Sequence, residues 1–579
     1  MSDLPRVAVI GLGGLFPDAA TPETLWRNIL SRHDSSREPP PGRWILPPDQ
    51  AVSPGEFRVD KVPHSRGCFL DPFTVDLTGL DLPEHLMDEL DPVFHLAVEA
   101  CSRAWKSART VIRDPRRAGV ILGAIALPTE KTSEATRFLL GRTLAERAGS
   151  STLMDRMPAR LPHPLNQQVT GLPAKLAARA LRFEGPAFTL DAACASSLYA
   201  VKLAMDELQS GRVDLMLAGG LSRPDSLYTQ MGFAQLRALS PSGRCSPFDV
   251  RGDGLMVGEG AGVFVLKRLE DASRDGDSIL AVLAGCGLSN DVEGGLLAPA
   301  SEGQLRAMRA AYALAGWSPD DVDLIECHAT GTPIGDAVEL QSLRTLWTDC
   351  PGEPGRCALG AVKSTVGHLL TGAGAAALTK VLFALREKTL PPTANHDSPL
   401  DAMEFGRSPF RIPSGPEPWR RPDNLPRRAA VSAFGFGGIN AHLLVEEFDP
   451  SATRVSFPVK MSTPEPPVIT VTAAEAVLAS WSDASLLGLT EPPDKEAPRR
   501  WWGLPSADWL QQERGDVATP GYYLSGARLP ADRFRIPPRE VEEMLPQQVL
   551  MLYVAGRALD SANLSEAERL RTGVFLGVS

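Results

Sequence analysis

The 579-residue chain has only eight cysteines (Cys68, Cys101, Cys194, Cys245, Cys286, Cys327, Cys350 and Cys357), and none forms a C-x-x-C pair. That scarcity excludes a disulfide-stapled scaffold and the common zinc and redox motifs, and it fits a reducing, cytoplasmic setting. Basic runs are missing too: 59 Lys and Arg face 70 Asp and Glu, for a net charge of -11. A nucleic-acid footprint is therefore absent. The N-terminus runs directly into Val7-Ala8-Val9-Ile10, too short and wrongly flanked for a signal peptide. The longest apolar stretch, Leu369 to Leu385, is rich in Gly and Ala and interrupted by Lys380, so it reads as a buried helix and no membrane partner is expected. Neither a Walker pattern nor H-E-x-x-H occurs, and Gly11-Leu12-Gly13-Gly14 lacks the sixth glycine and the acidic partner of a dinucleotide loop.

Short apolar runs bounded by glycine supply the pattern that is present: Val7 to Ile10, Phe188 to Leu190, Leu215 to Ala218, Val263 to Leu266 and Leu324 to Cys327. Their length and composition suit buried strands. Helical spacing lies between several of them, as at Leu198, Val201, Met205 and Leu208 before Gly211. Strands alternating with helices argue an α/β fold with helices on both faces. Five prolines between Phe448 and Pro467 break any period, which places a linker at 449–466.

After that linker the chain repeats itself. A gapless shift of 454 residues aligns Gly67 with Gly521, Leu70 with Leu524, Pro83 with Pro537, Pro92 with Pro546, Arg103 with Arg557, Gly119 with Gly573 and Gly123 with Gly577. Arg43-Trp44 has a counterpart in Arg500-Trp501, and Val7 to Ile10 corresponds to Val468-Ile469-Thr470-Val471. A second copy is thus expected over 467–579, truncated before any counterpart of Cys194, as in a piece of a longer protein.

Cys194 stands where an apolar strand gives way to an amphipathic helix, in Leu190-Asp191-Ala192-Ala193-Cys194-Ala195-Ser196. Unpaired N–H groups at a helix start favour a thiolate and lower its pKa, the address of a nucleophile; a buried structural cysteine is the competing reading. His328 and His368 occupy loops rich in threonine and glycine that follow apolar strands, where α/β folds build sites. Their imidazoles suit hydrogen bonding to an oxyanion or proton exchange with a nucleophile, and equally an ordinary loop role. Lys363 could fix charge nearby or sit solvated on the surface. Phe434-Gly435-Phe436-Gly437-Gly438 either brings backbone N–H groups close to a ligand or makes a hairpin turn.

One cysteine at a helix start, two loop histidines, a lysine and a glycine turn, in that order, resemble the beta-ketoacyl synthase family. The resemblance covers residues 1 to about 448 and includes the phrases Ala238-Leu239-Ser240-Pro241-Ser242-Gly243-Arg244-Cys245-Ser246-Pro247-Phe248-Asp249 and Gly258-Glu259-Gly260-Ala261-Gly262. It implies a thiolase-like, five-layered αβαβα fold with halves at 1–270 and 271–448, and a 3-oxoacyl-[acyl-carrier-protein] synthase. Cys194 would carry the acyl chain, and His328 and His368 would assist malonyl decarboxylation and hold the enolate. The amides of Cys194 and Phe436, gated with Phe434, would form the oxyanion hole. Thr330 and Thr332 would contact phosphopantetheine, and Lys363 with Glu339 would order the histidine loops. No metal and no bound cofactor are implied; phosphopantetheine would arrive on a partner acyl carrier protein, bearing malonyl and acyl thioesters. Ala192, Ala329, Thr365 and Ile439 depart from the family's common threonine, glycine, asparagine and threonine, which bears on substrate preference.

A synthase followed by a copy whose first glycine loop has become Thr472-Ala473-Ala474 is similar to the ketosynthase and chain-length-factor pair of polyunsaturated fatty-acid synthases. The alternatives are an iterative polyketide synthase, including the enediyne type, and a non-catalytic chain-length scaffold. A homodimer, or a pseudo-dimer with the second copy, is implied.

Overall fold

All five apolar runs are strands, most of them longer than their apolar cores because flanking small residues continue the ladder. In the first half the strands are Val7–Leu15 (β1), Ala118–Ala124 (β2), Ala187–Leu190 (β3), Leu215–Ser222 (β4) and Gly260–Arg268 (β5). The second half holds Ala281–Asn290 (β6), Leu324–Glu326 (β7), Cys357–Gly360 (β8), Thr389–Leu390 (β9), Phe410–Arg411 (β10), Glu417–Pro418 (β11), Arg428–Gly435 (β12) and Ile439–Glu446 (β13). These come from a computed structural model that describes residues 4–149, 157–295, 298–350, 353–400, 408–421, 425–450, 469–477, 500–501, 504–505, 529, 531–534, 536, 540–541, 544–569 and 572–577.

The two halves repeat one plan. The first runs β3-β2-β4-β5-β1 in space and the second β8-β7-β12-β13-β6, with β10 added at its edge. In each, the first three strands are parallel and the last two pairings antiparallel. Antiparallel pairing of Val7, Ala8 and Val9 with Leu283, Val282 and Ala281 joins the halves into one eleven-stranded sheet. Parallel strands are covered on both faces, which is why their sequences read as apolar runs without alternation.

Helices Ser196–Gln209 and Ala373–Arg386 share one buried apolar cluster between the halves. Helices Pro92–Ala108 and Leu172–Ala180 cover the outside of the first half, and Ser301–Ala315 and Pro333–Leu346 the outside of the second. Helix, sheet, helix, sheet, helix is the five-layered arrangement the resemblance implied. Every residue from Ala373 to Leu385 is buried, Lys380 included, and no helix among the described residues is long and apolar enough to cross a membrane.

The glycines of the first strand have a packing reason. A Cβ on Gly13 would lie 2.3 Å from the Ala104 amide nitrogen of helix Pro92–Ala108. The second half repeats the device, with a Cβ on Gly287 lying 2.0 Å from the Ala307 carbonyl oxygen. Close backbone approach of helix to sheet, not phosphate binding, is what these glycines permit.

Residues Lys460–Ser579 form a separate compact unit. Helix Pro546–Ala562 there has 17 residues, as does Pro92–Ala108. Each starts at proline and ends at a left-handed residue, Asn563 and Arg109, both at φ 49°. The repeat of 454 residues thus aligns two helices end to end. The strand expected around Val468 to Val471 does not form over its described residues, Ile469 to Val471. β1 is held by β5 and β6 on its two sides, and no counterpart of either strand occurs among the described residues of 467–579. Most of the linker, and Gly521, Leu524 and Pro537 of the repeat, lie outside the described residues.

Candidate active site

β3 ends at Leu190, and the chain turns through Asp191 to Ala195 into helix Ser196–Gln209. Ala193 adopts a left-handed φ of 48°, a strained value that a methyl side chain tolerates better than a bulkier one. Asp191 braces the turn by accepting the N–H groups of Ala193 (2.9 Å) and Ala126 (3.0 Å). Ser196 Oγ accepts the Ala192 N–H at 2.8 Å and donates to the Ala193 carbonyl at 2.7 Å. Cys194, 5% exposed, is thereby held at the crest of the turn.

The helix start does not set the thiol's pKa as the sequence suggested. Burial dominates and pushes Cys194 up to about 11, while the Lys363 cation and the N–H groups of Phe436 and Cys194 itself pull it down. At neutral pH the resting side chain is a thiol. One of those amides belongs to the nucleophile turn and the other to the β12–β13 hairpin. Gly437 and Gly438, at φ 78° and 75°, close that hairpin. The glycine segment therefore is a hairpin turn and a source of N–H donors at once.

His368 Nε2 lies 3.0 Å from Cys194 Sγ. Its Nδ1 accepts the Leu370 N–H at 3.0 Å, so the neutral ring carries its proton on Nε2 and presents N–H to the sulfur. Burial, reinforced by Lys363, holds both His368 and His328 well below the usual imidazole range. The two rings meet edge to face, centroids 5.5 Å apart, and His328 also packs on Phe434 at 5.9 Å. Glu339 clamps the loop that carries His328: Oε1 accepts the His328 N–H at 2.8 Å and Oε2 the Ala329 N–H at 2.7 Å.

A cavity of about 340 Å³ opens over these groups, lined by Cys194, His328, His368, Thr330, Thr332, Glu339, Phe434 and Phe436 among others. Thr330 Oγ1 and Thr332 Oγ1 are 2.9 Å apart on its wall. Lys363 is buried behind the lining and acts through its charge on Cys194, His328 and His368. All the residues read from the sequence thus converge on one place.

Others were missed. Asp336 accepts the Phe248 and Gly331 N–H groups at 2.9 and 3.2 Å and is pushed up to about 6 by burial. Its spacing, three residues before Glu339 in the first turns of helix Pro333–Leu346, was the available signal. Asp191, Ser196 and the Leu370 amide left no such trace.

Cys194, His328 and His368 offer ligand atoms within 4.8 Å of one another, a spacing a metal ion could use. The donor set does not suit one. The Leu370 N–H keeps the proton of His368 on the very nitrogen that would coordinate, and the Lys363 cation adds positive charge behind the cluster.

The family model described as "Beta-ketoacyl synthase, N-terminal domain" matches residues 5–272 and again 494–579, and "Beta-ketoacyl synthase, C-terminal domain" matches 280–397. Polyketide synthase PksL of Bacillus subtilis is 32% identical over 78% of this chain and 10% of its own length. One polyunsaturated fatty acid synthase polypeptide of Thraustochytrium sp. is 32% identical over 83% of the chain and 18% of its own length. Another polypeptide of that synthase is 28% identical over 100% of the chain and 28% of its own length. The chain therefore spans well under a third of each of these relatives. Among solved structures, the PfaC keto synthase-chain length factor is 32% identical at a TM-score of 0.85, over 97% of this chain and 60% of that one. The ketosynthase from module 6 of the bacillaene synthase of Bacillus subtilis is 30% identical at 0.66, over 77% and 73%. With a cysteine, two imidazoles and paired amides converging where two like α/β halves meet, and with both family models matched in order, the chain belongs to the beta-ketoacyl synthase family of acyl-transferring, carbon–carbon bond-forming enzymes.

Proposed function

We propose that residues 1–448 are a ketosynthase that condenses a carrier-bound acyl thioester with malonyl-acyl carrier protein during polyunsaturated fatty-acid assembly. The observation that carries the chemistry is the Nε2–H of His368 set 3.0 Å from Cys194 Sγ with its Nδ1 occupied by the Leu370 N–H. That imidazole is built to donate a hydrogen bond, not to store a proton.

Three steps follow. Cys194 Sγ attacks the acyl thioester carbonyl, the Cys194 and Phe436 amides hold the tetrahedral oxyanion, and the carrier's pantetheine leaves as a thiol with the proton from Cys194. Malonyl thioester then loses its terminal carboxylate as CO2, and the electron pair left behind forms an enolate whose oxygen accepts N–H bonds from His328 and His368. Finally the enolate carbon attacks the acyl-Cys194 carbonyl, the C–S bond breaks with the sulfur leaving as thiolate, a proton from water restores the Cys194 thiol, and a 3-oxoacyl thioester remains on the carrier. Thr330 and Thr332 would hydrogen-bond the phosphopantetheine amides, while Lys363 and Glu339 keep the histidine loops in place. No cofactor of the chain's own takes part.

Similarity to a polyunsaturated fatty acid synthase polypeptide over the whole length of the chain favours fatty-acid over polyketide assembly. So does the second match to the N-terminal family model at 494–579, from which we read 467–579 as the start of a chain-length-factor-like copy after a linker at 449–466. PksL favours the polyketide reading. Association with a second ketosynthase-like body is supported by the open edge of β3, where Phe188 is exposed, and by exposed Phe138, Leu139 and Leu140 on helix Glu130–Ala148. A cytoplasmic location matches the eight free cysteines.

Supplying the full chain with acyl- and malonyl-acyl carrier protein and identifying products by mass spectrometry tests this. Extension of saturated or unsaturated acyl primers by two carbons is the expected result; turnover restricted to poly-β-keto chains would replace it with the polyketide reading.

A further inference from the structure

Two charges lie in the core behind the cavity and take no part in the steps above. Glu326 and Lys380 are 0% and 1% exposed, with Lys380 Nζ 2.7 Å from Glu326 Oε2. The contact is an ion pair without hydrogen-bond geometry, and neither atom has a hydrogen-bonding partner among the described residues. The other carboxylate oxygen, Oε1, accepts the Val362 N–H at 2.5 Å. The space they fill is made by Gly360, whose Cβ would stand 2.7 Å from Nζ and 2.9 Å from Oε2.

The places of these residues in the chain matter more than the pair itself. Glu326 closes β7 two residues before His328. Val362 immediately precedes Lys363, in the segment that leads to His368. Lys380 stands on helix Ala373–Arg386, which begins just past His368. One planar carboxylate therefore ties the strand carrying the first histidine to the turn carrying the lysine and to the helix following the second histidine. As a source of stability such a pair is poor, because apolar residues of similar volume commonly replace a buried ion pair without loss. Placement is what it offers: one oxygen accepts the Val362 N–H and the other attracts the Lys380 ammonium, so both neighbours are drawn to β7.

We infer that Glu326 and Lys380 are positioning residues that set His328 against Lys363 and His368 for decarboxylation and condensation. The inference rests on the function proposed above.

The test uses the full chain with Glu326→Gln/Lys380→Met, which removes both charges and keeps the side-chain volumes. Four quantities are read: melting temperature, the rate of Cys194 acylation, the rate of condensation, and the 15N spectrum of the imidazoles. The expected result is a melting temperature near wild type, acylation little changed, condensation lower by about 100-fold, and shifted signals from His328 and His368. Condensation at the wild-type rate would overturn the inference, as would acylation and condensation falling in parallel with the melting temperature. If the double variant does not fold, Glu326→Asp, which keeps both charges and shortens the reach by one methylene, is expected to give the same split, and wild-type condensation in it overturns the inference. Should wild type itself condense nothing, the proposed function fails; the imidazole spectrum, which needs no substrate, then decides on the pair, and unchanged His328 and His368 signals refute it.

Discussion

His328→Ala is expected to split the reaction in two. Acylation of Cys194 should persist, because the groups that serve it remain: the Cys194 and Phe436 amides at the sulfur and the His368 N–H, 3.0 Å away. Decarboxylation of the malonyl thioester should fall by about 100- to 1,000-fold, the usual consequence of losing one preorganised donor to a developing oxyanion. The fold should hold, since the His328 side chain packs against His368 and Phe434 but its Nδ1 has no hydrogen-bonding partner among the described residues to orphan. Single-turnover acylation measured beside CO2 release separates the two outcomes. If acylation and decarboxylation fall together, His328 serves the nucleophile and the division of labour drawn here is wrong.

Glu339→Leu is expected to damage stability and activity at once. The substitution strips the acceptor from two N–H groups, those of His328 and Ala329, and an unsatisfied buried donor costs about 1–3 kcal/mol. With the loop released, His328 drifts from the enolate position, and a displacement on the order of 1 Å lowers condensation by about 100-fold. Glu339→Gln should recover part of the stability, since its amide oxygen accepts one of the two N–H groups while its NH2 cannot accept the other, and its pH dependence carries the sign of the effect. Burial pushes Glu339 up from 4.5 to about 7, so between those values the folded state holds a proton that the unfolded chain releases. Its contribution to stability is therefore fully present below the lower value and lost as pH rises through the upper one. Asp336 acts in the same direction, from 3.8 to about 6. Relative to wild type, Glu339→Gln should gain in melting temperature as pH rises from about 4.5 to about 8, because the neutral amide has no proton to lose. A gain on acidification would contradict the assignment of a raised carboxyl pKa.

The parts of the fold that could be read from the sequence are those whose cause is local or periodic. Leu215 to Ala218 and Val263 to Leu266 read as strands because layers on both faces demand apolar residues at every position. Helix Ser196–Gln209 was legible from its spacing, and Cys194 from standing just before it. The 454-residue repeat was legible as identities and reappears as two 17-residue helices. What stayed hidden depends on tertiary surroundings. The thiol's raised pKa comes from burial that the helix-start argument did not weigh. The protonation of His368 turns on one backbone amide, that of Leu370, which no side-chain pattern announces. Gly13 was judged against a nucleotide loop and found wanting, when its reason is Ala104 packed over it. The strand expected near Val468 needs neighbours like β5 and β6, which hold β1 on both sides and have no counterpart among the described residues of 467–579.

Incubation of the full chain with a medium-chain acyl-acyl carrier protein asks whether Cys194 is the acyl acceptor of a condensing enzyme. Intact mass, followed by peptide mapping, is expected to show one acyl adduct on Cys194 that the Cys194→Ala variant does not acquire. Absence of an adduct across several chain lengths, in protein shown to be folded, or an adduct that survives in Cys194→Ala, would contradict it.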